Sequence, residues 1–155
     1  MNHTPIPAKL FATIMKSVPI CTVDVLFLNQ QMSKIILFKR NNEPVKGIYY
    51  TIGGRLLKDE RLLDCAKRQA KREVRITLKN KDLNLGGIQE DIHSNSAFKG
   101  ATYHAVGVFY YCIVDEDKFK PALDDQHAAF KWFEINSKKI HPLIRTRINQ
   151  ICKTK

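Results

Sequence analysis

No stretch of this 155-residue chain approaches the roughly 20 apolar residues that a helix needs to cross a bilayer. The longest, Ile20–Leu28, is interrupted by Asp24, and no membrane partner is expected. Met1–Lys9 lacks the basic segment and apolar core of a secretory leader, so a cytoplasmic location is expected. There is no Cys-x-x-Cys pair. Cys21, Cys65, Cys112 and Cys152 are widely spaced, which without export argues for reduced packing thiols. Internal repeats and low-complexity segments are also missing. Acidic residues are scarce: 15 Asp+Glu stand against 26 Lys+Arg, a net charge of +11. That excess calls for an anionic partner, and charge alone does not choose between nucleic acid, a membrane surface and small phosphorylated substrates. An apolar content of 44% and a charged content of 26% argue against intrinsic disorder. The length fits one domain over residues 1–155.

The patterning predicts a short helix over Phe11–Ser17 and strands at Ile20–Leu28, Lys34–Phe38 and Tyr49–Ile52. Gly53-Gly54 reads as a tight turn, followed by a helix with Asp59 as its cap and Glu60 in its first turn. On that helix Leu63, Ala66, Ala70 and Val74 share an apolar stripe, with Glu73 at its edge beside Gln69. Lys67, Arg68, Lys71, Arg72 and Arg75 fall on the opposite side, which reads as solvated. Leu83–Ile92 looks extended, Thr102–Val114 is a long β-rich run, Ala129–Glu134 alternates as a strand, and Lys138–Cys152 forms a basic amphipathic helix. The order predicts a mixed α/β (α+β) domain rather than a doubly wound one.

Three residues point to chemistry. Asp24 stands inside an apolar strand, where a carboxylate is costly unless it is paired or functional. Glu73 and the Gly53 carbonyl are hard oxygen donors of the kind Mg²⁺ takes. Taken alone, that is a weak metal or phosphate signal.

The run Gly53–Ile76 (GGRLLKDERLLDCAKRQAKREVRI) resembles the Nudix box, with Gly54, Glu60, Arg68, Glu73 and Ile76 in register. Gln69, Arg72 and Arg75 replace a Glu, a second Glu and a Gly of that motif, and Ala70 is a small version of its hydrophobic position. The lost glutamates would carry much of a multi-metal cluster, and an arginine at 72 would repel a second cation. The chain also resembles the GDP-mannose mannosyl hydrolase branch, through Phe11, Asp24, Phe38–Asn42, GGRLLKDE (Gly53–Glu60), Asp124–His127 and Lys131–Phe133.

The resemblance implies a Nudix fold, a mixed β-sheet sandwiched between helices. It implies one Mg²⁺ per subunit, or Mn²⁺ in its place, on the Gly53 carbonyl, Glu73 and Gln126. Arg40 and Arg55 would contact the diphosphate leaving group through guanidinium forks. Asp24 would lie near the leaving group and the base, and His127 would be the general base. Phe11 would contact substrate. The family's tyrosine near the leaving phosphate aligns with His104, with Tyr103 one residue earlier, on the opposite strand face. The implied reaction is attack of water on the anomeric carbon of a GDP-hexose, GDP-mannose or GDP-glucose, giving GDP and the inverted sugar. The branch also implies a homodimer, with segment 1–18 in its contacts.

Two other readings stay open: a Nudix pyrophosphohydrolase releasing a nucleoside monophosphate and a sugar phosphate, and a non-catalytic basic nucleotide- or RNA-binding domain. The missing glutamates argue against the first. The lack of an aromatic RNA-binding motif on a strand pair argues against the second. Asp91–Ala101, expected to read the sugar, shows no interpretable pattern.

Overall fold

The computed structural model describes residues 5–153. Helix α1 (Ala8–Ser17) leads into strand β1 (Ile20–Asn29) and strand β2 (Lys34–Arg40). The short strands β3 (Tyr49–Tyr50) and β4 (Ile52–Arg55) precede helix α2 (Leu62–Val74). Strands β5 (Asn84–His93), β6 (Tyr103–Val114) and β7 (His127–Glu134) follow, then helix α3 (Pro142–Lys153).

Among the described residues the strands form one mixed sheet in the order β3-β2-β1-β6-β5, with β4 on β1 and β7 on β2. Strand β1 runs parallel to β6 over ten residues. Its other edge is shared: Thr22–Val25 pair antiparallel with β4, and Phe27 and Leu28 pair with β2. That division is why β1 is nearly all buried; the change of partner from β4 to β2 falls at Leu26.

Alternation along β1 feeds two cores. Val23, Val25 and Phe27 pack with Ile36, Phe38 and the Cys65, Ala66, Ala70 and Val74 side of α2. Leu26 and Leu28 pack with Ile35, Leu37, Phe109 and the Ile144, Ile148, Ile151 side of α3. The sheet is thus sandwiched between α2 and α3. Small residues at 66 and 70 let α2 lie close to the strands.

The structure departs from the sequence expectations at several points. Gly53-Gly54 is not a turn; both residues are in β4, facing Asp24 and Val23 of β1. Helix α2 starts at Leu62, and Asp59 does not cap it but sits in a preceding turn with φ 62°. Glu60 also lies before the helix, because its carboxylate is drawn to the Leu57 amide and to Arg68. Arg68 therefore leaves the solvated face assigned to it. Strand β7 begins two residues early, at His127. Arg147, counted with the basic C-terminal surface, is fully buried.

Candidate active site

Asp24 lines a cavity of about 140 Å³ with Arg40, Gly53, Asp91, His93 and Tyr103. Gly53 lies opposite Asp24 in the register, and a Cβ on Gly53 would collide with the Asp24 carboxylate. Glycine here is a requirement of close approach. Burial pushes the Asp24 carboxyl above its ordinary range, partly offset by Arg147.

Arg40 ends β2 at a register irregularity between Lys39 and Arg40, opposite His127. Its Nε is buried and has no hydrogen-bond partner among the described residues. Arg55, at the end of β4, opens instead onto an adjoining apolar hollow of about 180 Å³, with Phe11, Met15, Pro44, Phe98 and Tyr103. There the Arg55 guanidinium stacks 4.6 Å from the Phe11 ring, and Phe98 packs edge-on to Phe11 at 5.7 Å. Tyr103 borders both spaces.

His104 is not brought to either. The alternation of β6 turns it to the other face, where its Nε2 lies 3.5 Å from Glu90. The assignment of His104 to substrate is therefore corrected: its neighbour Tyr103 takes the cavity-facing position.

Behind Gly53, on the α2 side, stands a second group. Glu73 is fully buried. Its Oε1 accepts from Arg72 at 2.7 Å and its Oε2 from the Gly53 amide at 3.4 Å. Burial pushes its carboxyl up to about 7 despite Arg72. His127 is also buried. Its Nδ1 is 3.0 Å from Asp124 Oδ1, and its Nε2 lies 3.8 Å from Glu73 Oε2 with no hydrogen-bond partner among the described residues. Burial holds the imidazole below its ordinary pKa, against the pull of Asp124. With Nδ1–H assigned as donor to the carboxylate, Nε2 is left as a free acceptor.

The loop carrying these groups is tied to α2. The Asp124 amide donates to the Glu73 carbonyl at 3.0 Å and that of Ala122 to the Val74 carbonyl at 3.0 Å. Asp124 also accepts the Gln126 backbone amide and, through Oδ2, its side-chain Nε2, both at 3.0 Å. Gln126 also borders an open hollow with Arg40, Asn41, Asn42, Glu43 and Lys46.

The donor types, one desolvated carboxylate with backbone and amide oxygens, are those a hard cation takes. A desolvated carboxylate with neutral oxygens suits a single Mg²⁺ that keeps waters and phosphate oxygens. No group of three or more His, Cys, Asp or Glu side chains arranged for a metal occurs among the described residues.

Of the residues singled out from the sequence, the structure brings Asp24, Arg40, Gly53 and Tyr103 to one cavity, Phe11 and Arg55 to the hollow beside it, and Glu73 and His127 together on the α2 side, with Gln126 on the adjoining loop. Sequence reasoning gave no individual role to Asp91, His93 or Arg147, the first two lying in the Asp91–Ala101 segment expected to read the sugar. The first two continue the β5 alternation that places Gln89 on the same face, a period-2 pattern that could have found them.

Comparison with known proteins agrees with this architecture. The NUDIX domain family matches residues 19–149. The chain is 27% identical over 151 residues to the low-salt glycan biosynthesis protein Agl8 of Haloferax volcanii, covering 96% of this chain and 92% of that one. A MutT NUDIX hydrolase from Burkholderia pseudomallei superposes with a TM-score of 0.69 at 20% identity, over 87% of this chain and 99% of the other. The NUDIX domain of Shewanella oneidensis NrtR, solved with ADP ribose, gives 0.63 at 18% identity, over 96% and 91%.

Proposed function

The chain belongs to the NUDIX family, and from that premise we propose that it is a hydrolase of a GDP-hexose, GDP-mannose or GDP-glucose, cleaving at the anomeric carbon to give GDP and the free sugar with inversion. Membership supports hydrolysis of a nucleotide derivative. The observation that carries the hydrolytic reading is His127, a buried imidazole with Nδ1 on Asp124 and Nε2 without a hydrogen-bond partner among the described residues. Attack of water on carbon or on phosphorus needs a base, and a neutral imidazole takes the proton near pH 7; the replacement of box glutamates by Gln69 and Arg72 is what favours carbon. The 27% identity to a glycan biosynthesis protein is in keeping with a sugar substrate.

In this reading His127 Nε2 accepts the proton of the attacking water, and Asp124 holds the ring in that tautomer. Arg40 and Arg55 take the diphosphate charge as the glycosidic bond breaks. Asp24 faces the reacting end across the cavity, and Phe11 and Tyr103 line the adjoining hollow. Gly53, Glu73 and Gln126 would hold one Mg²⁺, which supplies further charge neutralisation at the diphosphate when bound. The chain acts as a homodimer in which segment 1–18 makes contacts; residues 1–4 of that segment lie outside the described residues.

The test is turnover of GDP-mannose and GDP-glucose with Mg²⁺, with the nucleotides resolved by ion exchange. GDP as sole nucleotide product supports the proposal. GMP assigns the chain to pyrophosphohydrolysis instead, and no turnover of either sugar overturns the enzymatic reading.

A further inference from the structure

A guanidinium buried mid-helix is costly unless charge and hydrogen bonds meet it on several sides. Arg147 of α3 is the largest fully buried side chain among the described residues. Its Nη1 donates to Thr51 Oγ1 at 3.0 Å. Its Nη2 lies 2.7 Å from Asp91 Oδ2 on β5 and 3.1 Å from Asp24 Oδ2 on β1. The rings of Tyr50 and Phe109 each stand 5.6 Å from it. One side chain of α3 therefore ties together β1, β5 and the β3–β4 junction.

The two carboxylates are not equivalent. Asp91 Oδ2 accepts the Tyr50 hydroxyl at 2.9 Å as well as Arg147, and its Oδ1 accepts Gln89 Nε2 at 3.0 Å. Asp24 meets Arg147 only through Oδ2, while Oδ1 is the oxygen packed against Gly53 at the cavity wall. Asp91, held by Tyr50 and Gln89, anchors the guanidinium, and the guanidinium in turn anchors Asp24.

We infer that Arg147 is a positioning residue of the hydrolytic site, tying back one oxygen of Asp24 so that the other is presented to a hydroxyl of the substrate's sugar. This rests on the proposed role of Asp24 at the reacting end. It assigns α3, the helix farthest in sequence from the box, a part in the chemistry.

The experiment is steady-state kinetics with GDP-mannose on the wild type, Asp24→Asn, Arg147→Lys, Arg147→Met and the double variant Asp24→Asn/Arg147→Met. Arg147→Met is expected to lower kcat by ~10- to 100-fold through misplacement of Asp24, with KM within about threefold of wild type. Arg147→Lys should fall between, since it keeps the charge and loses the fork. In the Asp24→Asn background Arg147→Met should cost no more than about a further twofold, because the residue it acts through is already disabled. A loss carried undiminished into that background, or an unchanged kcat, overturns the inference. Crystal structures of the wild type and Arg147→Lys without substrate decide it independently of the substrate. The Asp24 carboxylate should shift by more than ~0.5 Å, and an unmoved Asp24 overturns the positioning role even where the wild type turns over no GDP-sugar, the result that defeats the proposed function itself.

Discussion

His127 Nδ1 and Asp124 Oδ1 lie 3.0 Å apart in a buried imidazole–carboxylate pair whose far nitrogen faces Glu73. The carboxylate orients the ring, and Nε2, buried 3.8 Å from Glu73 Oε2, has no hydrogen-bond partner among the described residues. His127→Gln is expected to lower turnover by ~100-fold or more at neutral pH. Asp124→Asn should cost ~10- to 100-fold by releasing the orientation. Because burial lowers the imidazole pKa, the neutral base persists below its ordinary value, and the acid limb of kcat should fall below pH ~6.5. A pH profile of both variants and wild type checks this. Wild-type turnover in His127→Gln would remove the base from the account.

Arg72 donates to Glu73 Oε1 at 2.7 Å and so competes for the oxygen a cation would use. Arg72→Ala should tighten Mn²⁺ binding by roughly tenfold, about 1.4 kcal/mol, the order of a charge-assisted hydrogen bond. Glu73→Gln should abolish specific binding. Titration of metal-free protein followed by electron paramagnetic resonance reads both.

Glu60 and Arg68 brace the entry to α2, with Nε–Oε1 at 2.6 Å and Nη2–Oε2 at 2.8 Å. Arg68 holds the Glu60 carboxyl down at about 2. A lowered folded-state pKa means stability present above the unfolded value near 4.5 and lost as pH falls through about 2. With Arg68 partly exposed, Glu60→Gln should cost roughly 2 kcal/mol at neutral pH. The gap to wild type should narrow by pH ~3. Urea unfolding at the two pH values measures it; a constant gap contradicts the ion-pair origin.

Arg75 ends α2 with φ 59°, where the Nudix box carries glycine, and the Ile76 amide closes onto the Ala70 carbonyl at 3.2 Å. A Cβ in the left-handed region is unfavourable, so Arg75→Gly should stabilise the protein by about 0.5–1 kcal/mol. Thermal melts at matched pH would show it as an upward shift in Tm.

Much of this was legible in the chain. The box register found Glu73, Glu60 and Arg68, because their spacing is set by one strand and one helix. The apolar run of β1 singled out Asp24, a carboxylate among hydrophobic neighbours. What stayed hidden depends on contacts between distant segments. Gly53 looks like a turn because glycine usually is one, yet here the approach of Asp24 from another strand demands it. Arg147 looks like one more surface cation because nothing near it in sequence shows the two carboxylates that bury it. The Tyr103–His104 step is a matter of strand parity, which alignment to a motif does not fix. The +11 charge likewise said little: Arg55 stacks on Phe11, Arg72 pairs with Glu73, and Arg147 pairs with Asp24 and Asp91, each placed by a specific partner.

The central claim is that water attacks carbon rather than phosphorus. Hydrolysis of GDP-mannose in oxygen-18 water, followed by mass spectrometry of the products, tests it most directly. The account predicts oxygen-18 in the free sugar and unlabelled GDP. Label in a phosphate group, or GMP with mannose phosphate as products, would contradict it.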